Sequence, residues 1–167
     1  MSKRRAFFLD RDGTINIDKH YVYRPEDFEW VPGIVDCCRA AVAAGYDIVI
    51  ITNQSGIERG YFSENDYAVF THYLRNRFAE FAVPILDVLH CPWLEHEERK
   101  PNPGLFIKAA ERWQIDMASS LSLGDKPRDV QAGVNAGVGR NYLLSSELSE
   151  PMATAVVKDP RELIPVL

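Results

Sequence analysis

Two aspartates separated by one residue follow a short apolar run near the start of the chain. The run Ala6–Leu9 stops at Asp10, and Asp12 and Gly13 come next. If the chain turns here, which Gly13 allows because it has no Cβ, both carboxylates can face one site. One carboxylate can then act as a nucleophile while the other donates and later accepts a proton. The pair predicts covalent acid–base chemistry, although an isolated Asp-x-Asp is usually a solvated turn.

A cluster of small polar residues follows a second apolar run. Thr52, Asn53, Gln54, Ser55 and Gly56 are consecutive in the chain. Hydroxyl and backbone N–H groups gathered in a turn form a concavity that binds anions such as phosphate. Taken alone, the same residues also fill ordinary turns. The cluster therefore predicts a phosphate site only in company with other motifs.

Two further segments carry charged residues that phosphoryl transfer would use. Lys100 precedes a predicted helix, where its ammonium can neutralise phosphate charge and keep a carboxylate ionised. Asp125 follows another apolar run and is placed to join Asp10 at a Mg²⁺ ion, which prefers oxygen ligands. Asp129 lies four residues further on, near a helix start. It supports the metal site or acts as a helix-dipole residue, and the sequence leaves both roles open.

The apolar runs that precede these motifs predict the strands of a sheet. Several are rich in β-branched residues, and continuous apolar strands are typical of a parallel sheet covered on both faces. The predicted strands are Ala6–Leu9, Asp47–Ile51, Ile85–Leu89, Leu121–Leu123, Tyr142–Leu144 and, more weakly, Ala155–Val157.

Helical patterns lie between the predicted strands. Three of them are Ile34–Ala44, Pro103–Trp113 and Pro127–Ala136. Another begins at Ser63, which we predict to be an N-cap with Asp66 as its capping-box partner. Its apolar residues recur at helical spacing and predict a buried stripe, made of Phe70, Leu74, Phe78 and Phe81.

Strand–helix alternation along the chain predicts a doubly wound, Rossmann-like α/β fold with a parallel sheet flanked by helices. Such folds bind ligands beyond the carboxyl ends of their strands, where Asp10, Thr52 and Asp125 fall. No internal repeat or linker interrupts the 167 residues, so we expect one domain over residues 1–167. The gaps after the first two strands are too short for a separate cap domain.

Composition restricts the partners and the compartment. The net charge of −5 and the acidic pI of about 5.4 give no footprint for nucleic acid. Cys37, Cys38 and Cys91 are too few for a disulfide framework, and the first two are expected to be buried thiols. No signal peptide or membrane span is expected. We therefore expect a cytoplasmic protein without membrane partners, either a monomer or a weak homo-oligomer.

In this order the four motifs resemble those of the haloacid dehalogenase superfamily of phosphohydrolases. The resemblance implies that Asp10 is the nucleophile and Asp12 the general acid and base. It implies that Thr52 and Lys100 steady the phosphoryl group. It also implies Mg²⁺ as cofactor, held by the carboxylates of Asp10 and Asp125 and by the backbone carbonyl of Asp12.

A closer resemblance is to the subfamily of D-glycero-D-manno-heptose 1,7-bisphosphate and histidinol-phosphate phosphatases. It lies in Asp10–Asn16, Thr52–Gly60, Arg99–Pro101 and Gly124–Lys126, and Val31–Gly33 and Ile115–Ala118 favour the heptose branch. The resemblance implies removal of the 7-phosphate from the heptose bisphosphate, a small phosphosugar. It also implies that the substrate contacts are Asp18, Lys19, His20, Tyr21, Asn53, Gln54, Ser55, Arg99 and Lys126.

One segment departs from this subfamily, whose members usually carry a zinc-binding loop. Cys91 is kept, but Trp93 stands where a histidine would be, and Leu94–Glu98 replaces a longer loop. A structural zinc site needs four ligands, and His90, Cys91 and His96 supply at most three. We therefore expect no zinc, and the shortened loop bears on which substrate binds rather than on the chemistry.

Three alternative functions remain open at this stage. Histidinol phosphate is the nearest rival substrate. A nucleic-acid 3′-phosphatase shares the Thr-Asn-Gln-x-Gly-x-x-x-Gly pattern of Thr52–Gly60 but would need a basic groove. A non-catalytic phosphosugar-binding protein would usually have lost a nucleophile or metal ligand, whereas Asp10, Asp12, Lys100 and Asp125 are all present.

Overall fold

Six apolar segments form one parallel sheet in the computed structural model, which describes residues 3–167. All six predicted strands are confirmed, most of them a residue or two longer than expected. They are β1 Arg5–Leu9, β2 Tyr46–Asn53, β3 Ile85–Cys91, β4 Leu121–Gly124, β5 Arg140–Leu144 and β6 Ala155–Val157. Their spatial order is β3-β2-β1-β4-β5-β6, and each neighbouring pair is parallel. This order is that of a doubly wound α/β fold.

The connections between strands include the predicted helices. The helices are α1 Ile34–Ala43, α2 Glu64–Ala79, α3 Gly104–Trp113 and α4 Pro127–Asn135, with short 3₁₀ segments at Pro25–Asp27 and Pro160–Val166. The capping box of α2 is also confirmed. The Ser63 hydroxyl accepts a hydrogen bond from the Asp66 N–H, and the Asp66 carboxylate accepts one from the Ser63 N–H.

Both faces of the sheet are buried. Phe7 and Leu9 of β1 point to a core that includes Ile34 of α1, while Phe8 points to the opposite core and contacts Phe106 of α3. Each fully buried side chain of this size stabilises the fold by about 1.5–3 kcal/mol. The predicted burial of Cys37 and Cys38 is confirmed, and among residues 3–167 all cysteines are free thiols.

The predicted apolar stripe on α2 is wrong at one position. Phe70, Leu74 and Phe78 are buried, but Phe81 is 38% exposed and lies beyond the end of α2. The helix ends at Ala79, and Ala82 adopts a left-handed φ of 59° as the chain turns toward β3. The spacing continues past the helix end only by coincidence.

The strand order brings the motifs together. In the centre of the sheet, Leu9 of β1 is aligned with Ile50 of β2 on one side and Leu123 of β4 on the other. The carboxyl ends of these three strands therefore open onto one edge. Within residues 3–167, loops and one 3₁₀ turn connect β1 to α1, and a loop connects β2 to α2. In that same part of the chain no helix is long and apolar enough to cross a membrane.

Candidate active site

Three carboxylates converge at the carboxyl end of the sheet. Asp10 follows β1, Asp125 follows β4, and Asp129 lies in the first turn of α4. Each offers one oxygen atom, and these atoms all lie within 4.8 Å of one another. Gly13 permits the approach, because its φ is 87° and a Cβ there would overlap the Asp125 carboxylate.

The charges of this carboxylate cluster are not balanced by the protein alone. Burial, and then the charge of Asp129, raise the pKa of Asp10, and the same two causes raise the pKa of Asp125. Among residues 3–167, Asp125 Oδ1 is buried and has no hydrogen-bond partner. Oxygen donors with excess negative charge are the ligands that Mg²⁺ prefers. The residues therefore fit a bound divalent cation.

Lys100 supplies the nearest positive charge to the cluster. Its side chain is 2% exposed, and Nζ lies 2.8 Å from Asp10 Oδ1 and 2.6 Å from Asp129 Oδ1. Nζ also donates to the Ile51 carbonyl at 2.8 Å. Burial alone would lower the pKa of Lys100, but the carboxylates of Asp10 and Asp129 raise it overall. The ammonium therefore stays charged beside Asp10.

Asn53 fixes the backbone from which Lys100 projects. Its Nδ2 donates to the Lys100 carbonyl at 3.2 Å, and its Oδ1 accepts from the Lys100 N–H at 3.0 Å. The sequence predicts Asn53 as a substrate contact. The structure shows that its amide also joins the end of β2 to the segment before α3.

Asp129 belongs to the carboxylate cluster and also lies at the start of α4, while its role at a metal stays a prediction. One oxygen contacts Lys100, and the other accepts a hydrogen bond from the Lys126 N–H at 3.0 Å, so it caps α4. Its side chain packs against Gly124, where a Cβ would overlap it. Asp129 therefore connects α4 to the charged cluster.

Asp12 is held by a network of hydrogen bonds from three side chains. Arg11 Nε and Nη2 donate to Oδ2 and Oδ1 at 3.2 and 3.0 Å, Asn16 Nδ2 donates to Oδ1 at 3.0 Å, and Gln54 Nε2 donates to Oδ2 at 2.9 Å. Gln54 Nε2 also lies 2.9 Å from Thr52 Oγ1. Arg11 and Asn16 have no role among the residues predicted from the sequence. The position of Arg11 between Asp10 and Asp12 is the sequence feature from which a role at the site could have been predicted.

A cleft of about 320 Å³ opens beside Asp12. Most of the predicted substrate contacts line it, together with Arg59 and Arg128, which the sequence does not predict as individual substrate contacts. The lining residues are Asp12, Asp18, His20, Tyr21, Asn53, Gln54, Ser55, Arg59, Arg99 and Arg128. Two predicted contacts lie outside the lining: Lys19 forms a 3.0 Å ion pair with Glu29, and half-exposed Lys126 lies 3.6 Å from Asp125.

Positive charge gathers on one side of the cleft. Arg59, Arg99 and Arg128 all line it. Burial, followed by the charges of Arg128 and Arg59, lowers the pKa of Arg99, so both other guanidinium groups lie close enough to act on it. In the described part of the chain, none of the three has a carboxylate oxygen within 4.0 Å. This side of the cleft is suited to an anion.

The loop that contributes Asp18, His20 and Tyr21 to the cleft has an unusual backbone. His20 and Tyr21 both adopt left-handed φ angles, 59° and 56°, which are uncommon for residues other than glycine. The Asp18 carboxylate accepts a hydrogen bond from the His20 N–H at 3.0 Å, and the Tyr21 ring packs against Tyr61. These contacts set the shape of the loop before any ligand binds.

The residues considered for zinc make other contacts. His90 Nε2 lies 2.9 Å from a Glu64 oxygen, and the His90 ring stacks on Tyr67. His96 Nδ1 accepts a hydrogen bond from the Glu98 N–H at 3.1 Å. The absence of zinc stays a prediction. The shortened loop is connected to the cleft, because the Trp93 carbonyl accepts a hydrogen bond from Arg99.

The fold and this arrangement of aspartates and lysine define a phosphatase of the haloacid dehalogenase-like class. The sequence profile of the family described as Polynucleotide kinase 3 phosphatase matches residues 5–137. The chain belongs to this family of phosphatases.

Relatives in sequence and structure agree with this classification. The chain is 44% identical to a D-glycero-alpha-D-manno-heptose-1,7-bisphosphate 7-phosphatase of Campylobacter jejuni, over 97% of this chain and 95% of the relative. It is 41% identical to a D-glycero-beta-D-manno-heptose-1,7-bisphosphate 7-phosphatase of Helicobacter pylori, over 100% and 99%. A crystal structure of D,D-heptose 1,7-bisphosphate phosphatase from B. bronchiseptica, complexed with magnesium and phosphate, superposes with a TM-score of 0.87 at 26% identity, covering 97% of each chain.

Proposed function

We propose that the protein is a Mg²⁺-dependent phosphatase that removes the 7-phosphate from a D-glycero-D-manno-heptose 1,7-bisphosphate. The main support for this proposal is that Asp12, which lies beside the carboxylate cluster, lines the same cleft as Arg59, Arg99 and Arg128. A substrate with two phosphates can place one at Asp10 and the other at the arginines. The names of the relatives from C. jejuni and H. pylori support this substrate.

The chemistry starts at Asp10. One carboxylate oxygen attacks phosphorus in line with the departing oxygen, and the bond between phosphorus and that oxygen breaks. Asp12 donates a proton to the leaving alkoxide. The products of this step are the dephosphorylated sugar hydroxyl and a phosphoryl group on Asp10.

Water completes the cycle. The Asp12 carboxylate takes a proton from a water molecule, whose oxygen attacks the phosphoryl-aspartate and releases inorganic phosphate and free Asp10. Lys100 and the Thr52 hydroxyl stabilise charge on the phosphoryl oxygens throughout. A Mg²⁺ ion held by the carboxylates of Asp10 and Asp125 and the Asp12 backbone carbonyl would neutralise further phosphoryl charge when bound.

The rest of the cleft accounts for recognition of the sugar and its second phosphate. The guanidinium of Arg99 is suited to bidentate hydrogen bonding with a phosphate, and Arg59 and Arg128 add charge beside it. Asp18 and His20 line the same cleft and offer hydrogen-bond partners to sugar hydroxyls. We assign Asn53 and Gln54 mainly to support, because they hold Lys100 and Asp12.

The test is a phosphate-release screen in the presence of Mg²⁺. Its substrates are both anomers of the heptose 1,7-bisphosphate, the heptose 7-phosphate, histidinol phosphate and a 3′-phosphorylated oligonucleotide. We expect the highest kcat/KM for one of the bisphosphates, because only these engage both ends of the cleft. A kcat/KM for the heptose 7-phosphate equal to that of the preferred bisphosphate would contradict the role of the arginines.

One alternative has an observation in its favour, namely the name of the matching family, which refers to a polynucleotide 3′-phosphatase. Against it stand the net charge of −5 and a cleft of only about 320 Å³. Histidinol phosphate is disfavoured because its cationic amine would face three arginines. Phosphate release from the oligonucleotide or from histidinol phosphate at a rate above that of the bisphosphates would favour these alternatives instead.

A further inference from the structure

Arg11 is a buried arginine beside the proposed acid and base that the mechanism above does not use. It lies between Asp10 and Asp12 in the chain and is only 1% exposed. A guanidinium stays protonated in proteins, so its charge must be compensated where it is buried. Within residues 3–167 its only carboxylate partner is Asp12, at 3.0 Å.

The contacts of Arg11 fix the guanidinium plane from several sides. Nη2 donates to the Val22 carbonyl at 2.5 Å as well as to Asp12. The guanidinium carbon lies 4.6 Å from the centre of the Phe70 ring. Stacking on an aromatic ring and a hydrogen bond to a backbone carbonyl together restrict both the position and the tilt of the planar group.

The guanidinium in turn holds both oxygens of Asp12. Arg11 Nε donates to Asp12 Oδ2 and Arg11 Nη2 donates to Asp12 Oδ1. These two hydrogen bonds together determine the plane of the Asp12 carboxylate. Asn16 adds a bond to Oδ1 and Gln54 one to Oδ2. Asp12 nevertheless lines the cleft, and its side chain is 22% exposed. The network therefore fixes the orientation of Asp12 without removing it from the cleft.

We propose that Arg11 is a positioning residue that holds the Asp12 carboxylate in the orientation from which it gives a proton to the leaving oxygen and later takes one from water. This inference rests on the proposed phosphatase mechanism. A lysine at this position would keep the charge, but its single ammonium cannot replace two parallel N–H donors in a fixed plane.

Two esters separate positioning of Asp12 from general damage to the site. Release of an alkoxide needs a proton from Asp12, whereas release of p-nitrophenolate needs little or none. The experiment compares kcat/KM of Arg11→Lys for p-nitrophenyl phosphate with kcat/KM for the alkyl phosphomonoester that wild-type enzyme hydrolyses fastest. We expect about a 100-fold loss on the alkyl ester and less than about a fivefold loss on the aryl ester.

A second readout reports on the water step. If Asp12 is misplaced, the phosphoryl-aspartate forms from p-nitrophenyl phosphate but breaks down slowly. Arg11→Lys should then release about one equivalent of p-nitrophenolate per enzyme in a rapid burst before slow turnover. The matched control is Arg112→Lys, since Arg112 also pairs with a carboxylate, that of Asp87 at 2.8 Å, but does not line the cleft. The control should keep wild-type rates on both esters.

The outcomes distinguish this inference from the proposed function. A wild-type enzyme that hydrolyses neither ester overturns both. An active wild type with an equal loss on both esters in Arg11→Lys overturns the positioning role alone. If Arg11→Lys does not fold, Phe70→Leu is the second test, because it removes the ring beneath the guanidinium and keeps its donors. A smaller but selective loss on the alkyl ester supports the inference, and an equal loss on both esters overturns it.

Discussion

A single lysine, with one positive charge, contacts two of the three carboxylates at the proposed nucleophile. Lys100 contacts Asp10 and Asp129, while Asp125 has only the half-exposed Lys126 at 3.6 Å. The cluster is therefore arranged for a reaction that brings its own negative charge and needs a further cation. Removing the charge of Asp10 should therefore affect activity and the stability of the fold in different ways.

We predict that Asp10→Asn loses activity without losing stability. An amide is not a nucleophile, so kcat should fall by about 10⁴-fold or more. Burial and the neighbouring carboxylates raise the pKa of Asp10, which means that its negative charge is unfavourable in the metal-free fold. The melting temperature in EDTA should thus equal or exceed that of the wild type. Retained turnover, or unfolding of the variant, would contradict these roles.

The sequence identifies the residues with catalytic functional groups more readily than those that support them. Asp10, Asp12 and Asp125 are recognisable because they follow apolar segments, and Lys100 because it precedes a predicted helix in the expected order of motifs. Arg128 is not recognisable, because an arginine at a helix start is usually solvated. Arg59 lies in the Thr52–Gly60 motif, which predicts that its loop lines the site but not that its side chain contacts an anion. Only the folded chain shows that both arginines share a cleft with Arg99.

At the scale of elements, the strands and helices are predictable because each carries a local pattern. Apolar runs that end at polar residues give the six strands, and the capping box at Ser63 gives the start of α2. Phe81 shows the limit of this reasoning, since helical spacing does not reveal that the helix ends at Ala79. The order of strands in the sheet depends on contacts between distant segments, which no local pattern contains.

The capping box gives a prediction for the stability of α2. Ser63→Ala removes the hydroxyl that accepts the Asp66 N–H, and should lower the free energy of unfolding by about 0.5–2 kcal/mol. Denaturant titration at neutral pH measures this loss. Phosphatase activity of the folded variant should be unchanged, because Ser63 does not line the cleft. A stability equal to that of the wild type would mean that the cap contributes nothing.

The other half of the same capping box gives a pH dependence. Hydrogen bonds from the backbone and the hydroxyl of Ser63 lower the pKa of Asp66 below its ordinary value of 3.8. The folded state then binds this proton more weakly than the unfolded state, so the stabilisation is complete above pH 3.8 and is lost as the pH falls through the lowered value. The stability difference between wild type and Asp66→Asn should shrink over that acidic range. A difference that grows on acidification would contradict the assignment.

At the scale of the whole molecule, the fold brings together charges that stabilise it only when a cation is bound. We predict that Mg²⁺ raises the melting temperature of the metal-free protein, with a gain of about 2.7 kcal/mol at a concentration 100 times its dissociation constant. Asp125→Asn removes a carboxylate with a buried, unpartnered oxygen and should abolish the gain. Ser63→Ala is the matched control and should keep it. A Mg²⁺-dependent shift retained in Asp125→Asn would place the ion elsewhere.

The arginine side of the cleft is likewise a product of the whole fold. Arg59 comes from the segment between β2 and α2, Arg99 from the segment before α3, and Arg128 from the start of α4. If this cluster binds the second phosphate, Arg128→Gln should raise KM for the heptose bisphosphate by about 10-fold or more, because a charge-assisted hydrogen bond contributes about 1.5–3 kcal/mol. Its kcat should change little, because Asp10 and Asp12 are untouched.

A comparison substrate and a matched variant make this prediction specific. With the heptose 7-phosphate, which lacks the second phosphate, Arg128→Gln should have the KM of the wild type. Lys19→Gln is the control, since Lys19 pairs with Glu29 at 3.0 Å and does not line the cleft. An equal rise in KM for both substrates in Arg128→Gln would show that the arginine acts on the transferred phosphate or on the fold. The cleft would then recognise one phosphate rather than two, and the substrate assignment would have to change while the chemistry at Asp10 stayed the same.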